Sequence, residues 1–252
     1  MTARTDGRSR EEQELLIREE QAFPKEAYSV PVVGVTGGIG SGKSAVLRFL
    51  REQCGASVLQ TDELAKELMR PGTACYEALR KAFGNRILRP DGSIDTKRYG
   101  DLIYSDERLQ TLSDSLVHPA VWEAVRQRIA SGSTQKSGFQ KEGRKGAGKL
   151  TDAAHNPAFW VVETALPGKE LSRICSTIWY VHVPEELRIR RLMEGRSMSE
   201  EAVRRILRKQ PQEAAYRALA DAVIENDGSL LELEARIQEL LETLETDCRV
   251  RA

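Results

Sequence analysis

Apolar positions in this chain follow two rhythms. Five short runs are apolar almost throughout: Val30-Pro31-Val32-Val33-Gly34-Val35, Ala56-Ser57-Val58-Leu59, Phe159-Trp160-Val161-Val162, Thr177 to Val183, and Ala222-Val223-Ile224. A strand with one face in water alternates polar and apolar, whereas a strand covered on both faces is apolar at successive positions. The runs therefore predict strands of a mostly parallel sheet. Between them the apolar residues recur every three or four positions, which predicts helices over about 42–53, 61–70, 73–83, 95–103, 106–129, 184–194, 199–209, 211–220 and 229–245.

Several helix ends carry their own signals. Thr61 can cap a helix that has Asp62 and Glu63 in its first turn and Pro71-Gly72 beyond its end. Ser199-Glu200-Glu201 and Asp227-Gly228-Ser229 also look like helix starts. Strand, helix and strand in succession describe an α/β domain. Residues 62–130 break this order, with helix after helix and no strand, and are expected to form a helical insertion. Residues 131–158 are rich in Gly and Lys and are expected to be a flexible basic loop. Residues 1–29 are charged and polar, and are expected to be an N-terminal extension.

Composition narrows the class. The 252 residues include 38 basic and 38 acidic side chains, so the formal net charge is zero. That balance gives no overall electrostatic reason for a nucleic-acid or anionic-membrane partner. No run approaches the ~20 apolar residues that span a bilayer, and the first thirty residues lack the apolar core of a secretory signal. Cys54, Cys75, Cys175 and Cys248 form no CxxC pair, which argues against a zinc site or a disulfide framework and fits a reducing, cytoplasmic setting. Oligomeric state is left open by the sequence.

The chemistry is concentrated just after the first predicted strand. Gly37-Gly38-Ile39-Gly40-Ser41-Gly42-Lys43-Ser44 satisfies GxxxxGK[ST] and opens the first predicted helix, which ends its phosphate-binding stretch at Ala45. Glycines let successive N–H groups approach phosphate oxygens where side chains would obstruct. The helix N-terminus adds partial positive charge. Lys43 supplies a full charge to the β- and γ-phosphates, and the Ser44 hydroxyl suits Mg²⁺. The pattern points to ATP with Mg²⁺ on a three-layer P-loop fold.

What is done with the nucleotide depends on other residues. No NKxD segment is present, and the third strand ends in a single acid, Glu163. A helical insertion and an arginine-rich segment suit a small-molecule kinase, which must hold a second substrate and exclude water. The segment from Arg188 to Gln210 holds eight basic and three acidic residues. Most of these are expected on a solvated helix pair. Arg191 and Arg196 are best placed to reach over a triphosphate, where spreading charge in the transition state is most of the catalysis. Asp62, just beyond the second strand, is the candidate base for an acceptor hydroxyl. Other small-molecule or nucleotide P-loop kinases, and a nucleotide-binding protein impaired in catalysis, remain alternatives at this point.

Six blocks then resemble the dephospho-CoA kinase family over about residues 31–245. Val35 to Ser44 is similar to its VTGGIGSGKS opening, and Thr61-Asp62-Glu63-Leu64-Ala65 to its ADxIA segment. Pro71-Gly72, Phe83-Gly84 and Asp91-Gly92-Ser93-Ile94-Asp95 resemble its PG…FG…DG stretch, and Leu116-Val117-His118-Pro119 its LLHP. Pro184-Glu185-Glu186-Leu187 through Met193 resembles the run into its lid, and Ala218 to Ser229 its ALADDVIDNDGS. Three positions depart: Gln60 stands where an Asp is common, Thr164 to Glu170 replaces VPLLFE, and Gly195 takes the place of a lid arginine, with Arg196 following.

The resemblance implies ATP-dependent phosphorylation of the ribose 3′-hydroxyl of dephospho-CoA. It implies a nucleotide core over 30–61 and 159–245 with a lid near 188–212, and a helical domain over 62–130 for the CoA substrate. Lys43, Asp62, Arg191 and Arg196 would be catalytic. Gly38, Ile39, Gly40, Ser41, Gly42, Lys43, Ser44 and Ala45 would hold ATP, with Ser44 on Mg²⁺. Thr36, Asp62 and His118 would meet the acceptor.

Overall fold

A computed structural model describes residues 26, 28–132, 158–196 and 198–251. The chain divides into two compact units, Met1–Val58 with Ala158–Ala252, and Leu59–Pro157. The expected loop over 131–158 and the extension over 1–29 fall almost wholly outside the described residues.

The first unit is built on the sheet. Its strands are β1 (Val32–Thr36), β2 (Ser57–Gln60, whose last two residues belong to the second unit), β3 (Trp160–Thr164), β4 (Thr177–His182) and β5 (Ala222–Glu225). Their order across the sheet is β2-β3-β1-β4-β5. β1 runs parallel to both β3 and β4, and β4 parallel to β5. Thr36 registers with Thr164 on one side and Tyr180 on the other, so three strand ends meet at one edge.

Alternation along the strands builds the layers. Val33 and Val35 of β1, Trp179 and Val181 of β4 and Ile224 of β5 share one core with helix α1 (Lys43–Gln53) and helix α10 (Leu230–Arg251). Successive strand residues face opposite ways, so Gly34 looks to the other side. There a methyl carbon on Gly34 would stand 3.1 Å from both Leu171 Cγ and Cys175 Sγ. Leu171 lies on α6 (Lys169–Ile174), a six-residue helix that the apolar spacing did not predict. Tyr180 also faces that side, stacked on Tyr216 of α9 (Glu213–Leu219) with ring centroids 5.1 Å apart. Full burial of a side chain of this size contributes about 1.5–3 kcal/mol, which is why both faces of β1 and β4 are apolar.

The second unit is helical. It holds α2 (Thr61–Leu68), α3 (Ala74–Phe83), a short 3₁₀ turn (Gly84–Ile87), α4 (Thr96–Ser105) and α5 (Glu107–Ser131). Cys75, Tyr76, Leu79, Phe83, Ile87, Ile94 and Tyr99 form its own buried core. Phe83 and Tyr99 meet edge to face at 5.8 Å, and Arg128 of α5 pairs with Glu67 of α2 at 2.6 Å. α5 continues through Pro119, which has no N–H to donate back along the helix.

Thr61 proves to be the first residue of α2, and Gln60 holds the capping position without a side-chain bond. The expected start near 227–229 is a capping box. Ser229 N donates to Glu232 Oε2 at 2.7 Å, and Glu232 N donates to Ser229 Oγ at 3.3 Å.

Candidate active site

The loop from Gly37 to Gly42 leaves β1 at the sheet edge and hands over to α1. Gly42 caps α1 with φ 88°, a conformation that costs other residues dearly. Gly37 has φ 152°, and a methyl carbon there would stand 2.7 Å from Val181 O and 2.9 Å from Ser41 Oγ. The loop can therefore lie against β4 only as glycine at this position. α1 turns back on the loop through Ala45 N, which donates to Gly42 O at 2.9 Å.

Lys43, the first residue of α1, folds over that loop. Its ammonium donates to Gly37 O at 2.6 Å and to Gly38 O at 3.4 Å, and lies 3.6 Å from the Glu163 carboxylate. Glu163, next to last in β3 and in register with Val35 of β1, is 6 % exposed, so it supplies a buried counter-charge to the lysine. Sequence reasoning noted Glu163 only as a lone acid at a strand end. The pairing of β1 with β3 gives it a role that no local pattern carries.

Two buried hydroxyls stand at the same place without a hydrogen-bond partner among the described residues: Thr36 Oγ1 and Ser41 Oγ. Buried polar atoms are almost always paired, so two orphans, one at the end of β1 and one on the glycine turn, suit a polar ligand at this place. Ser44, on the first turn of α1, is exposed and can offer its hydroxyl outward. Among the described residues no cluster of three or more His, Cys, Asp or Glu could hold a metal alone. That donor set fits Mg²⁺ carried on triphosphate oxygens and water, with one hydroxyl from the protein.

Three more side chains fix the loop, each 149 or more residues away along the chain. Asn226 Nδ2 donates to Ser41 O at 2.8 Å, Arg188 Nε to Ile39 O at 2.9 Å, and Ile39 N to Gln210 Oε1 at 3.1 Å. Asn226 lies in the Ala218–Ser229 stretch with no local signal of this contact, and Arg188 and Gln210 lie in the arginine-rich segment undistinguished from their neighbours. Only the crossing of the segment after β4 over the loop reveals them.

Arg191 lies on α7 (Glu185–Arg196), half-buried, with Nη1 3.8 Å from where a methyl carbon on Gly42 would stand. Arg196 ends the same helix, and its side chain lies outside the described residues. Gly38 and Gly40 meet α7 directly, at Arg188 and at Leu192. Asp62 belongs to the second unit, exposed on the first turn of α2. His118 is also in that unit, exposed on α5 with Nε2 3.6 Å from Asp114 Oδ1.

His182, to which the sequence gave no context, ends β4 beside Glu225 and lies 3.3 Å from Glu213. Arg217 closes this cluster onto Glu213 at 2.5 Å, which holds the Glu213 carboxyl below its usual range. Burial pushes the nearby Tyr180 hydroxyl up to about 12. His155 lies outside the described residues.

Known proteins bear on this geometry. The family described as dephospho-CoA kinase matches residues 31–141 and 145–232. A dephospho-CoA kinase of Geobacter sulfurreducens is 34 % identical over 211 residues, covering 83 % of this chain and 96 % of that protein. One from Thermobifida fusca is 32 % identical, covering 84 % and 96 %. Among solved structures, TT1252 from Thermus thermophilus superposes with a TM-score of 0.64 at 28 % identity, covering 85 % of this chain and 98 % of that one. Dephospho-CoA kinase from Campylobacter jejuni shares the fold, with a TM-score of 0.51 at 19 % identity over 84 % and 96 %. The glycine turn, its lysine and the parallel sheet behind them are those of a P-loop kinase, and this chain belongs to the dephospho-CoA kinase family.

Proposed function

We propose that this chain transfers the γ-phosphoryl group of ATP to the ribose 3′-hydroxyl of dephospho-CoA, with Mg²⁺ on the nucleotide, in the cytoplasm. The observation that carries the reading is the Lys43 ammonium folded over Gly37 and Gly38 beside two orphaned hydroxyls, in a chain that matches the family over most of its length. Among the described residues no helix is long and apolar enough to cross a membrane.

Each residue has a task that its chemistry suits. The amides from Gly38 to Ala45 converge on the start of α1, where partial positive charge favours phosphate. Lys43 exchanges its carbonyl partners for phosphate oxygens, since an ammonium has three donors to distribute. Glu163 keeps the ammonium at the sheet edge meanwhile. Magnesium, when bound, neutralises charge on the phosphate oxygens, and the Ser44 hydroxyl would hold it. Arg191, beside Gly42, and Arg196, five positions on along α7, would steady the phosphate chain. Asp62 takes the proton of the acceptor hydroxyl as the new O–P bond forms and the bond to the β–γ bridging oxygen breaks. Its support is its exposed carboxylate on the first turn after β2 and the match of Thr61 to Ala65 to a family block. Thr36 and His118 are proposed to meet the acceptor.

The test is a coupled assay for ADP with purified protein. Turnover should rise well above the ATP-only rate when dephospho-CoA is added, and an unchanged rate overturns the reading. Lys43→Ala and Asp62→Asn should each lose on the order of a hundredfold in kcat. Full activity in Asp62→Asn would remove Asp62 from the base role and leave the rest standing.

A further inference from the structure

Arg188 is the residue that the geometry singles out most sharply beyond these assignments. Its Nε donates to Ile39 O at 2.9 Å and its Nη2 to Gln210 Oε1 at 2.6 Å. Gln210 Oε1 also accepts from Ile39 N at 3.1 Å, so one amide oxygen joins the guanidinium to the loop. A methyl carbon on Gly38 would stand 2.3 Å from Nη2, which means that only the bare Cα of glycine lets the guanidinium sit there. Two of its five N–H donors are used in this way, and three are left over.

Charge makes the arrangement more telling. Arg188 is half-buried, yet no carboxylate lies within ion-pairing distance of it among the described residues, whereas Lys43 at the same loop faces Glu163. Holding a partly desolvated guanidinium without a counter-ion is unfavourable unless an anion arrives. Lys43 and Arg188 converge on one glycine: Lys43 Nζ is 3.4 Å from Gly38 O, and Nη2 lies against the Gly38 Cα. The lysine of this motif serves the β- and γ-phosphates. Arg188 meets this same glycine, whereas Arg191 lies by Gly42 at the start of α1, so the pairing of Arg188 with the motif lysine points it toward the terminal phosphate.

We propose that Arg188 is a catalytic residue that donates its free N–H groups to the γ-phosphoryl oxygens during transfer, with Gln210 as the positioning residue that holds it ready. The assignment rests on the reading of the chain as an ATP-dependent kinase. Arg188 makes and breaks no covalent bond. It stabilises charge spread over the three equatorial oxygens while the acceptor oxygen attacks and ADP leaves.

Arg188→Ala, Arg188→Lys, Gln210→Ala and Gly38→Ala test this by steady-state kinetics together with calorimetric titration of ATP and ADP. Arg188→Ala should lower kcat about a hundredfold or more, as loss of one preorganised donor does elsewhere. Its KM for dephospho-CoA and its affinity for ADP should stay within about threefold of the parent's, while its preference for ATP over ADP falls. Arg188→Lys should recover little, because an ammonium cannot reproduce the planar fork. Gly38→Ala should copy Arg188→Ala by displacing the guanidinium, and Gln210→Ala should fall between. Added guanidinium ion should restore part of the turnover of Arg188→Ala and none to the parent, which a merely structural role would not produce.

Retained kcat within about fivefold, or parallel loss of ATP and ADP affinity, overturns the proposal. So does an Arg188→Lys variant that melts with the parent and keeps its rate. If the parent shows no turnover that depends on dephospho-CoA, the kinase reading fails by itself. The change in ATP-over-ADP preference then still decides whether Arg188 touches the terminal phosphate.

Discussion

Gly37 shows at the scale of one residue why the phosphate loop is written so rigidly. Its φ of 152° and the 2.7 Å that would separate a side-chain carbon from Val181 O exclude any other residue without movement of β4 or the loop. Gly37→Ala should therefore cost about 1–3 kcal/mol of stability, the usual scale of enforced backbone strain. Urea unfolding checks this, and a midpoint equal to the parent's would mean that the loop relaxes freely. Asn226 argues the same point from the other direction. It is 7 % exposed and holds Ser41 O, so Asn226→Ala should leave a buried carbonyl unpaired, at about 1–3 kcal/mol. At this scale the sequence showed the residues that form a contiguous pattern: the glycines, Lys43, Ser44. Glu163, Arg188, Gln210 and Asn226 were not legible as parts of the site. They reach the loop from other strands and from the crossing segment, and chemical type alone does not distinguish Arg188 from the arginines beside it.

The elements were legible where their ends are chemically marked. Thr73 accepts from Tyr76 N at 3.1 Å, Asp95 from Lys97 N and Arg98 N at 3.1 Å each, and Ser199 from Ala202 N at 3.3 Å. Thr73→Ala should cost about 1 kcal/mol, as cap removal usually does, read as a lower melting temperature with the near-ultraviolet spectrum retained. α6 was missed because six residues carry less than two turns of periodicity, and its fit against Gly34 comes from the sheet. Thr61 was misplaced by one position because its side chain is buried and does not cap α2.

The cap of α4 also makes a pH prediction. The Arg98 amide, followed by nearby positive charge and the Lys97 amide, holds the Asp95 carboxyl below its ordinary value of 3.8. With a folded value below the unfolded one, the unfolded chain binds more protons at intermediate pH. The stabilisation is thus present above about 3.8 and is lost as pH falls through the folded value. Asp95→Asn keeps an acceptor oxygen but no charge. The parent's advantage in melting temperature over Asp95→Asn should hold from about pH 6 to about pH 4 and shrink below that, and a gap that stays constant down to about pH 2 would mean that the charge contributes nothing.

For the whole molecule, apolar runs predicted five strands, of which β1, β3 and β4 are buried nearly throughout while the edge strands β2 and β5 are only partly covered. The α/β reading followed from the alternation of those runs with helical spacing. Strand order did not follow, since β2-β3-β1-β4-β5 depends on long connections that carry no register signal. Each unit encloses its own apolar core, one around β1 and β4, the other around Leu79 and Phe83. A ligand that binds only the folded loop stabilises the fold by mass action, whatever chemistry follows. Mg²⁺–ATP at about a hundred times its dissociation constant should add about 2.7 kcal/mol, which raises the melting temperature of a chain this size by roughly 5–10 °C. On the proposed reading the increment would come from the amides of residues 36–45 and from the ammonium that now rests on Gly37 and Gly38. Lys43→Ala should therefore melt below the parent without nucleotide, because the buried Glu163 carboxylate loses this ammonium, and should gain little when nucleotide is added. Hydrogen exchange should show new protection at Ile39 through Ser44 in the parent alone. An equal rise in Lys43→Ala, with no protection in the loop, would place the nucleotide elsewhere on the protein and detach the glycine turn from phosphate binding.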